Sequence, residues 1–224
     1  MKIRSVIFSM LILFSLVNTV RSQDKTYSYL ALGDSYTKGE SIAPIDCFPN
    51  QLAMQLRQNG FHLQDPKIIA KTGWTTDELD KGINAAAITG TYDLVTLLIG
   101  VNNQFRGRSV AEYEKQFEAL LKRAIEFAGG KESHVIVLSI PDWGATPFGA
   151  SRDRSKIAME INIHNDVNKK IAESYRVQYA DITMSSREAL VDKELLAEDK
   201  LHLSAKEYTR WVEILVPIAE KILK

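Results

Sequence analysis

The chain carries a serine, an aspartate and a histidine that suit the three roles of a hydrolytic triad. Ser35 follows a short apolar segment directly, within the motif Gly33-Asp34-Ser35, whereas Asp199 and His202 lie three residues apart near the C-terminus. If the fold brings them together, His202 can take the proton of the Ser35 hydroxyl while Asp199 holds the second ring nitrogen. This arrangement predicts nucleophilic attack on an acyl carbon.

Acyl transfer also needs hydrogen-bond donors that stabilise the oxyanion of the tetrahedral intermediate. The backbone N–H groups of Ser35 and Gly73 and the side-chain amide of Asn102 are the candidates. Glycine lets its backbone approach a ligand closely, and asparagine donates hydrogen bonds without titrating. Removal of one such donor typically raises the barrier by roughly 3–4 kcal/mol.

A further group of residues falls in the same regions and is expected to contact the substrate. Aromatic rings there would stack on a sugar or line an acyl pocket, and polar side chains would contact a polar or anionic group. Local packing and solvated loop charges are the alternatives. The substrate-contact candidates are Trp74, Asn103, Arg106, Trp143 and Phe148.

The segments that position these residues alternate between strand-like and helix-like patterns. Strands are predicted at residues 27–32, 67–70, 94–99, 134–140 and 177–180. Helices are predicted at residues 48–59, 76–87, 109–128, 156–174 and 204–223, with Thr76, Ser109 and Ser204 as caps. This order predicts one α/β domain with a parallel sheet of about five strands and helices on both faces. Right-handed crossovers would bring every strand's carboxyl end, and the candidate residues that follow it, to one edge.

The first 22 residues are predicted to be a secretory signal peptide. Lys2 and Arg4 precede an apolar run over residues 6–20, and Ser22 supplies a small residue at the expected cleavage site. An uncleaved anchor is the alternative, although the run is short for a membrane span. We therefore expect residues 23–224 to form a single catalytic domain that is secreted or periplasmic.

Charge and motif content limit the partners of this domain. Loss of residues 1–22 leaves 25 basic and 28 acidic residues, so nucleic acid and anionic membranes are not expected partners. The single cysteine, Cys47, cannot form an internal disulfide and is expected to be a small buried hydrophobe. Because HExxH, CxxC and phosphate-loop motifs are lacking, no metal and no cofactor is expected.

Four motifs together resemble the four blocks of the SGNH hydrolases, also called GDSL esterases and lipases, in the same order. They are Gly33-Asp34-Ser35, Gly73, Gly100-Val101-Asn102 and Asp199-Lys200-Leu201-His202. The resemblance implies a flavodoxin-like three-layer α/β/α sandwich with a five-stranded parallel sheet, and metal-independent ester hydrolysis.

The same resemblance assigns roles to individual residues. It implies that Ser35 is the nucleophile, His202 the base and Asp199 its orienting carboxylate, and that Ser35, Gly73 and Asn102 form the oxyanion hole. Two positions depart from the family pattern: Asn103 replaces a frequent aspartate, and Tyr36 follows the serine where leucine is frequent. Both departures bear on substrate choice more than on catalysis.

The expected function is a serine esterase that removes a short acyl group, acetyl first, from a carbohydrate or small molecule. One alternative is a lysophospholipase or thioesterase that acts on longer acyl chains. Another is a non-catalytic carbohydrate-binding module with the same fold. Acyl transfer to a sugar instead of water would use the same residues.

Overall fold

The computed structural model describes residues 25–224, so the predicted signal peptide lies outside the described residues and stays a prediction. The strands in this range are β1 (Thr26–Tyr27), β2 (Tyr29–Gly33), β3 (His62–Leu63), β4 (Lys67–Ala70), β5 (Leu94–Leu98), β6 (Val135–Leu138) and β7 (Gln178–Ala180). The α-helices are α1 (Ser35–Lys38), α2 (Phe48–Gln58), α3 (Thr76–Ala85), α4 (Val101–Phe105), α5 (Val110–Phe127), α6 (Arg154–Ser174), α7 (Thr183–Arg187) and α8 (Ala205–Leu223).

The central sheet confirms the predicted fold. Five parallel strands lie in the order β4-β2-β5-β6-β7, which is the flavodoxin-like order. Helices α2 and α8 pack together on one face of the sheet, and α3, α5 and the C-terminal half of α6 cover the other. The result is a three-layer α/β/α sandwich.

The alternation of side chains along β2 explains why both faces are covered. Successive residues of a strand point to opposite faces. Tyr29 and Ala31 therefore join the core beneath α2 and α8, whereas Leu30 and Leu32 join the core beneath α3 and α5. A strand that is apolar on both sides needs helices on both sides.

The register of three strands positions the loops that carry the candidate residues. Gly33, the last residue of β2, pairs with Ala70 of β4 on one side and with Leu98 of β5 on the other. The three strands therefore end at the same level, and their following loops emerge side by side. The chain order reverses between β2 and β5, which is where open α/β sheets bind their ligands.

The predicted first strand is interrupted at Ser28. The Ser28 N–H and hydroxyl both donate to the Asp93 carboxylate, at 3.0 and 3.1 Å, and this divides the segment into β1 and β2. Strand β1 leaves the main sheet and pairs with β3 instead. Across residues 25–224, no helix combines the length and apolarity that a membrane span requires.

Two of the three predicted helix caps are confirmed. The hydroxyls of Ser109 and Ser204 accept the N–H groups three residues ahead of them, at the starts of α5 and α8. The cap of α3 is Thr75 rather than the predicted Thr76, and it forms a reciprocal capping box with Glu78. The short helices α1, α4 and α7 were not predicted, because four or five residues are too few to show a helical period.

Candidate active site

Ser35 is the first residue of α1 and lies directly after β2. Its side chain is nearly buried, and the preceding Asp34 caps the helix by accepting the Tyr36 N–H at 3.0 Å. Because Ser35 opens the helix, its own N–H has no acceptor within the helix. Burial raises the pKa of Asp34 to about 7, since the N–H of Tyr36 offsets only part of the desolvation.

Asp199 and His202 form a hydrogen-bonded pair within one turn. The Nδ1 atom of His202 lies 2.6 Å from Oδ2 of Asp199, and Oδ1 accepts the N–H groups of Leu201 and His202 at 2.9 and 2.8 Å. Oδ2 also accepts the Ser41 hydroxyl at 2.6 Å.

These hydrogen bonds determine the protonation of the pair. Partial burial acts to raise the pKa of Asp199, but the donors from Ser41 and His202 outweigh it and hold this pKa well below its usual range. An ionised carboxylate only accepts hydrogen bonds, so Nδ1 of His202 carries the proton. A proton at Nδ1 leaves Nε2 as the nitrogen that can act as a general base.

Ser35 and His202 line the same cavity, which has a volume of about 80 Å³. Tyr36, the residue after the serine, reinforces this proximity, because its ring centroid is 5.5 Å from that of His202. The other lining residues are Tyr36, Val101, Asn102, Phe105, Trp143, Phe148 and Leu201. The structure thus brings the first and last sequence motifs to one opening.

The side chain of Asn102 is oriented by the neighbouring loop. Its Nδ2 donates to the Trp74 carbonyl at 3.0 Å, which leaves one amide hydrogen for a ligand in the cavity. Gly73 precedes Trp74 in a turn that is closed by a hydrogen bond to the Lys71 carbonyl, and it adopts a φ of +84° that favours glycine. Gly73 borders the site through this loop but is not among the residues that line the cavity.

Asn103 and Trp74 do not line the cavity. Asn103 is fully buried; its Oδ1 accepts the Thr76 N–H at 3.1 Å and its Nδ2 donates to the Thr76 hydroxyl at 2.8 Å. The Trp74 indole packs against Gly82, where a side chain in place of the hydrogen would clash with the ring. Both residues tie the loop after β4 to the rest of the fold.

Arg106 does not line the cavity either, and its side chain contacts other residues of the protein. Its guanidinium donates to the Gly73 carbonyl at 2.6 Å and pairs with Glu78 at 3.2 Å. It therefore holds the loop that carries Gly73 against the end of α4.

The predicted aromatic contacts Trp143 and Phe148 do line the cavity, together with Phe105. The centroid of the Trp143 ring is 5.2 Å from that of Phe105 and 6.0 Å from that of Phe148, and Trp143 is oriented by a 2.7 Å hydrogen bond to Gln104. Phe105 and Phe148 remain nearly half exposed, which leaves apolar surface for a ligand. Sequence reasoning missed Phe105, although it lies three residues after Asn102 and so on the same face of α4.

A larger groove continues from this cavity past the same two rings, Phe105 and Trp143. It has a volume of about 500 Å³ and carries charges of both signs. Its remaining lining residues are Gln104, Gly107, Arg152, Asp153, Lys156, Ile157 and Glu160.

The sequence also bears on two other kinds of reactive group, a metal site and the thiol of Cys47, which does not line the cavity. Within residues 25–224 no group of three or more His, Cys, Asp or Glu side chains is placed to hold a metal ion. Cys47 is buried at the N-terminus of α2, and burial raises the pKa of its thiol.

Comparison with known proteins assigns the chain to a family. The model of the GDSL-like lipase/acylhydrolase family matches residues 31–210, and the protein belongs to this family of ester hydrolases. No curated protein matches the sequence significantly.

Solved structures share the fold at low sequence identity. TesA is 17% identical with a TM-score of 0.67, over 88% of this chain and 99% of that one. The lipase/acylhydrolase from Enterococcus faecalis is 21% identical with a TM-score of 0.65, over 87% and 96% of the two chains. The acetylxylan esterase Axe2 from Geobacillus stearothermophilus is 18% identical with a TM-score of 0.63, over 88% and 94%.

Proposed function

We propose that the protein is a serine esterase in which Ser35 is the nucleophile, His202 the general base and Asp199 the orienting carboxylate. The observation that carries the proposal is the shared cavity of Ser35 and His202, combined with the 2.6 Å contact of Asp199 with the other ring nitrogen. Two structures of related fold support a serine mechanism: Axe2 with serine replaced by alanine is a catalytic mutant, and the esterase EstA from Pseudoalteromonas is inhibited by monoethylphosphonate.

The proposed reaction has two steps. The Ser35 oxygen attacks the ester carbon while Nε2 of His202 takes its proton, and the alcohol leaves with that proton as the acyl-serine forms. Water then attacks the acyl-serine with His202 again as base, which releases the acid and restores the serine. The N–H groups of Ser35 and Gly73 and the amide of Asn102 stabilise the oxyanion in both steps.

We further propose that the acyl group is short and the alcohol is a carbohydrate. The cavity beside Ser35 is the smaller of the two and is bordered by Phe105, Trp143 and Phe148, which suits a small acyl group such as acetyl. The adjoining groove is wider and polar, as an alcohol rich in hydroxyl groups requires. The similarity of fold to an acetylxylan esterase agrees with this assignment.

The test is a series of p-nitrophenyl esters with acetate, octanoate and palmitate, run beside acetate release from an acetylated polysaccharide. We expect kcat/KM to fall with chain length and the polysaccharide to be deacetylated. A preference for palmitate would favour the lysophospholipase or thioesterase alternative. Products formed with competing sugar alcohols distinguish hydrolysis from acyl transfer.

The catalytic assignment is tested with Ser35→Ala and with a fluorophosphonate probe. We expect stoichiometric labelling of Ser35 in the native protein, and no labelling and a fall in kcat of at least about 10³-fold in the variant. Full activity of Ser35→Ala would refute the mechanism. Absence of both labelling and activity in the native protein would favour the non-catalytic binding module.

A further inference from the structure

The Ser41 hydroxyl reaches the carboxylate of Asp199 from a distant part of the chain. The two residues are 158 positions apart, and the Oγ–Oδ2 distance is 2.6 Å. Ser41 belongs to none of the four sequence motifs, and it does not line the cavity beside Ser35.

The hydrogen bond completes the set of donors around Asp199. Oδ1 receives two backbone N–H groups from the turn that also carries His202, and these fix the carboxylate on one side only. Oδ2 accepts hydrogen bonds from Nδ1 of His202 and from the Ser41 hydroxyl. Among the described residues, Ser41 is therefore the one donor to this carboxylate that comes from outside the turn. Loss of Ser41 would leave the His202 side of the carboxylate held by the imidazole alone.

The backbone conformation of Ser41 is one that surrounding contacts must hold in place. Ser41 has a φ of 64°, a left-handed conformation that is unfavourable for a residue with a Cβ atom. The preceding residue, Glu40, is anchored by hydrogen bonds from Lys38 and Thr72. A strained conformation persists only where surrounding contacts hold it, and such residues cluster at functional sites.

We propose that Ser41 is a positioning residue that acts through Asp199 to keep the His202 ring oriented toward Ser35. It touches neither the substrate nor the reacting atoms. The inference rests on the proposed function, since it assumes that His202 is the base.

The experiment compares Ser41→Ala with Ser41→Gly by esterase kinetics. Both variants lose the hydroxyl, but glycine also relieves the left-handed backbone, so the pair separates the hydrogen bond from folding effects. We expect kcat to fall about tenfold in both with KM unchanged, and Ser41→Gly to be at least as stable to heat as Ser41→Ala. We also expect the downfield NMR resonance of the His202 Nδ1 proton to broaden in both, because it exchanges faster with water.

Ser28→Ala is the matched control. Ser28 also donates to a carboxylate, that of Asp93 at 3.1 Å, but it lies at the opposite end of β2. This variant should keep the wild-type kcat and the sharp Nδ1 resonance.

The outcomes separate this inference from the proposed function. Wild-type kcat in both Ser41 variants, with Ser35→Ala inactive, would overturn the role of Ser41 alone. A change in KM with kcat unchanged would also overturn it, because Ser41 would then contact substrate. Full activity in Ser35→Ala would overturn the proposed function and this inference with it.

Discussion

The two sides of the cavity are held in different ways. The proposed acid–base side, Asp199 and His202, comes from a single turn whose own backbone N–H groups bind the carboxylate. The proposed oxyanion side combines Gly73, from the loop after β4, with Asn102 of α4, and the two are joined by the hydrogen bond from Asn102 to the Trp74 carbonyl. The first side is therefore largely self-contained, whereas the second depends on supporting residues such as Asn103 and Arg106.

The acid–base side should show the largest single effect. Asp199→Asn keeps the shape of the side chain but replaces a carboxylate, which only accepts hydrogen bonds, with an amide that can also donate. The tautomer of His202 is then no longer fixed. We expect kcat to fall by about 10⁴-fold with the fold retained. Asp192→Asn is the matched control, because Asp192 also accepts a backbone N–H in a nearby turn. Comparable losses in both variants would contradict the special role of Asp199.

On the oxyanion side, substitution of two adjacent asparagines should have different effects, on kcat for Asn102 and on stability for Asn103. Asn102→Ala removes a donor to the oxyanion, so we expect kcat to fall by about 10²- to 10³-fold with little change in thermal stability. Asn103→Ala leaves the buried Thr76 N–H without its acceptor and removes the amide that donates to the Thr76 hydroxyl, so we expect its free energy of unfolding to fall by about 2 kcal/mol. Kinetics and denaturant unfolding of both variants check this, and the reverse pattern would refute it.

A smaller loss of kcat is expected when the support of the Gly73 loop is removed. Arg106→Met removes the hydrogen bond to the Gly73 carbonyl, which should loosen this loop and lower kcat by about tenfold. Arg108→Met is the control, since Arg108 pairs with Asp77 and Glu112 instead. If KM rose in Arg106→Met while kcat stayed constant, Arg106 would contact the substrate after all.

The smallest effect concerns the pH dependence of stability at Asp34. Its pKa of about 7 in the folded protein lies above the value of about 4 for an unfolded aspartate, so the folded state binds the proton more tightly. The resulting stabilisation is fully present below about pH 4 and is lost as the pH rises through 7. Relative to Asp34→Asn, we expect the wild type to lose about 1 kcal/mol of unfolding free energy between pH 6 and pH 8.

Urea unfolding of both proteins at several pH values measures this difference. A difference that stays constant with pH would show that Asp34 does not change its charge in this range. Asp199 shifts in the opposite direction: its pKa is depressed, so its contribution is present above about pH 4 and is lost in acid.

The contrast between the two sides also explains what the sequence can and cannot predict. The strand order and the position of Ser35 follow from apolar segments and the residues after them, which are local signals. The roles of Asn103, Trp74 and Arg106 depend on partners 27 to 33 residues away or on packing against another helix, and the pattern of residues carries no trace of these contacts. Ser41, which contacts Asp199 across 158 positions, has no sequence signal either.

The ring of Tyr36 links the beginning of the domain to its end, because it lies against both His202 and Trp211 of α8. During synthesis the ribosome makes the proposed nucleophile, Ser35, well before the proposed base, His202, with 166 residues between them. A nascent chain therefore carries an inert serine until α8 has docked on the sheet. Recovery of esterase activity after dilution from denaturant should thus report the completion of folding rather than its onset.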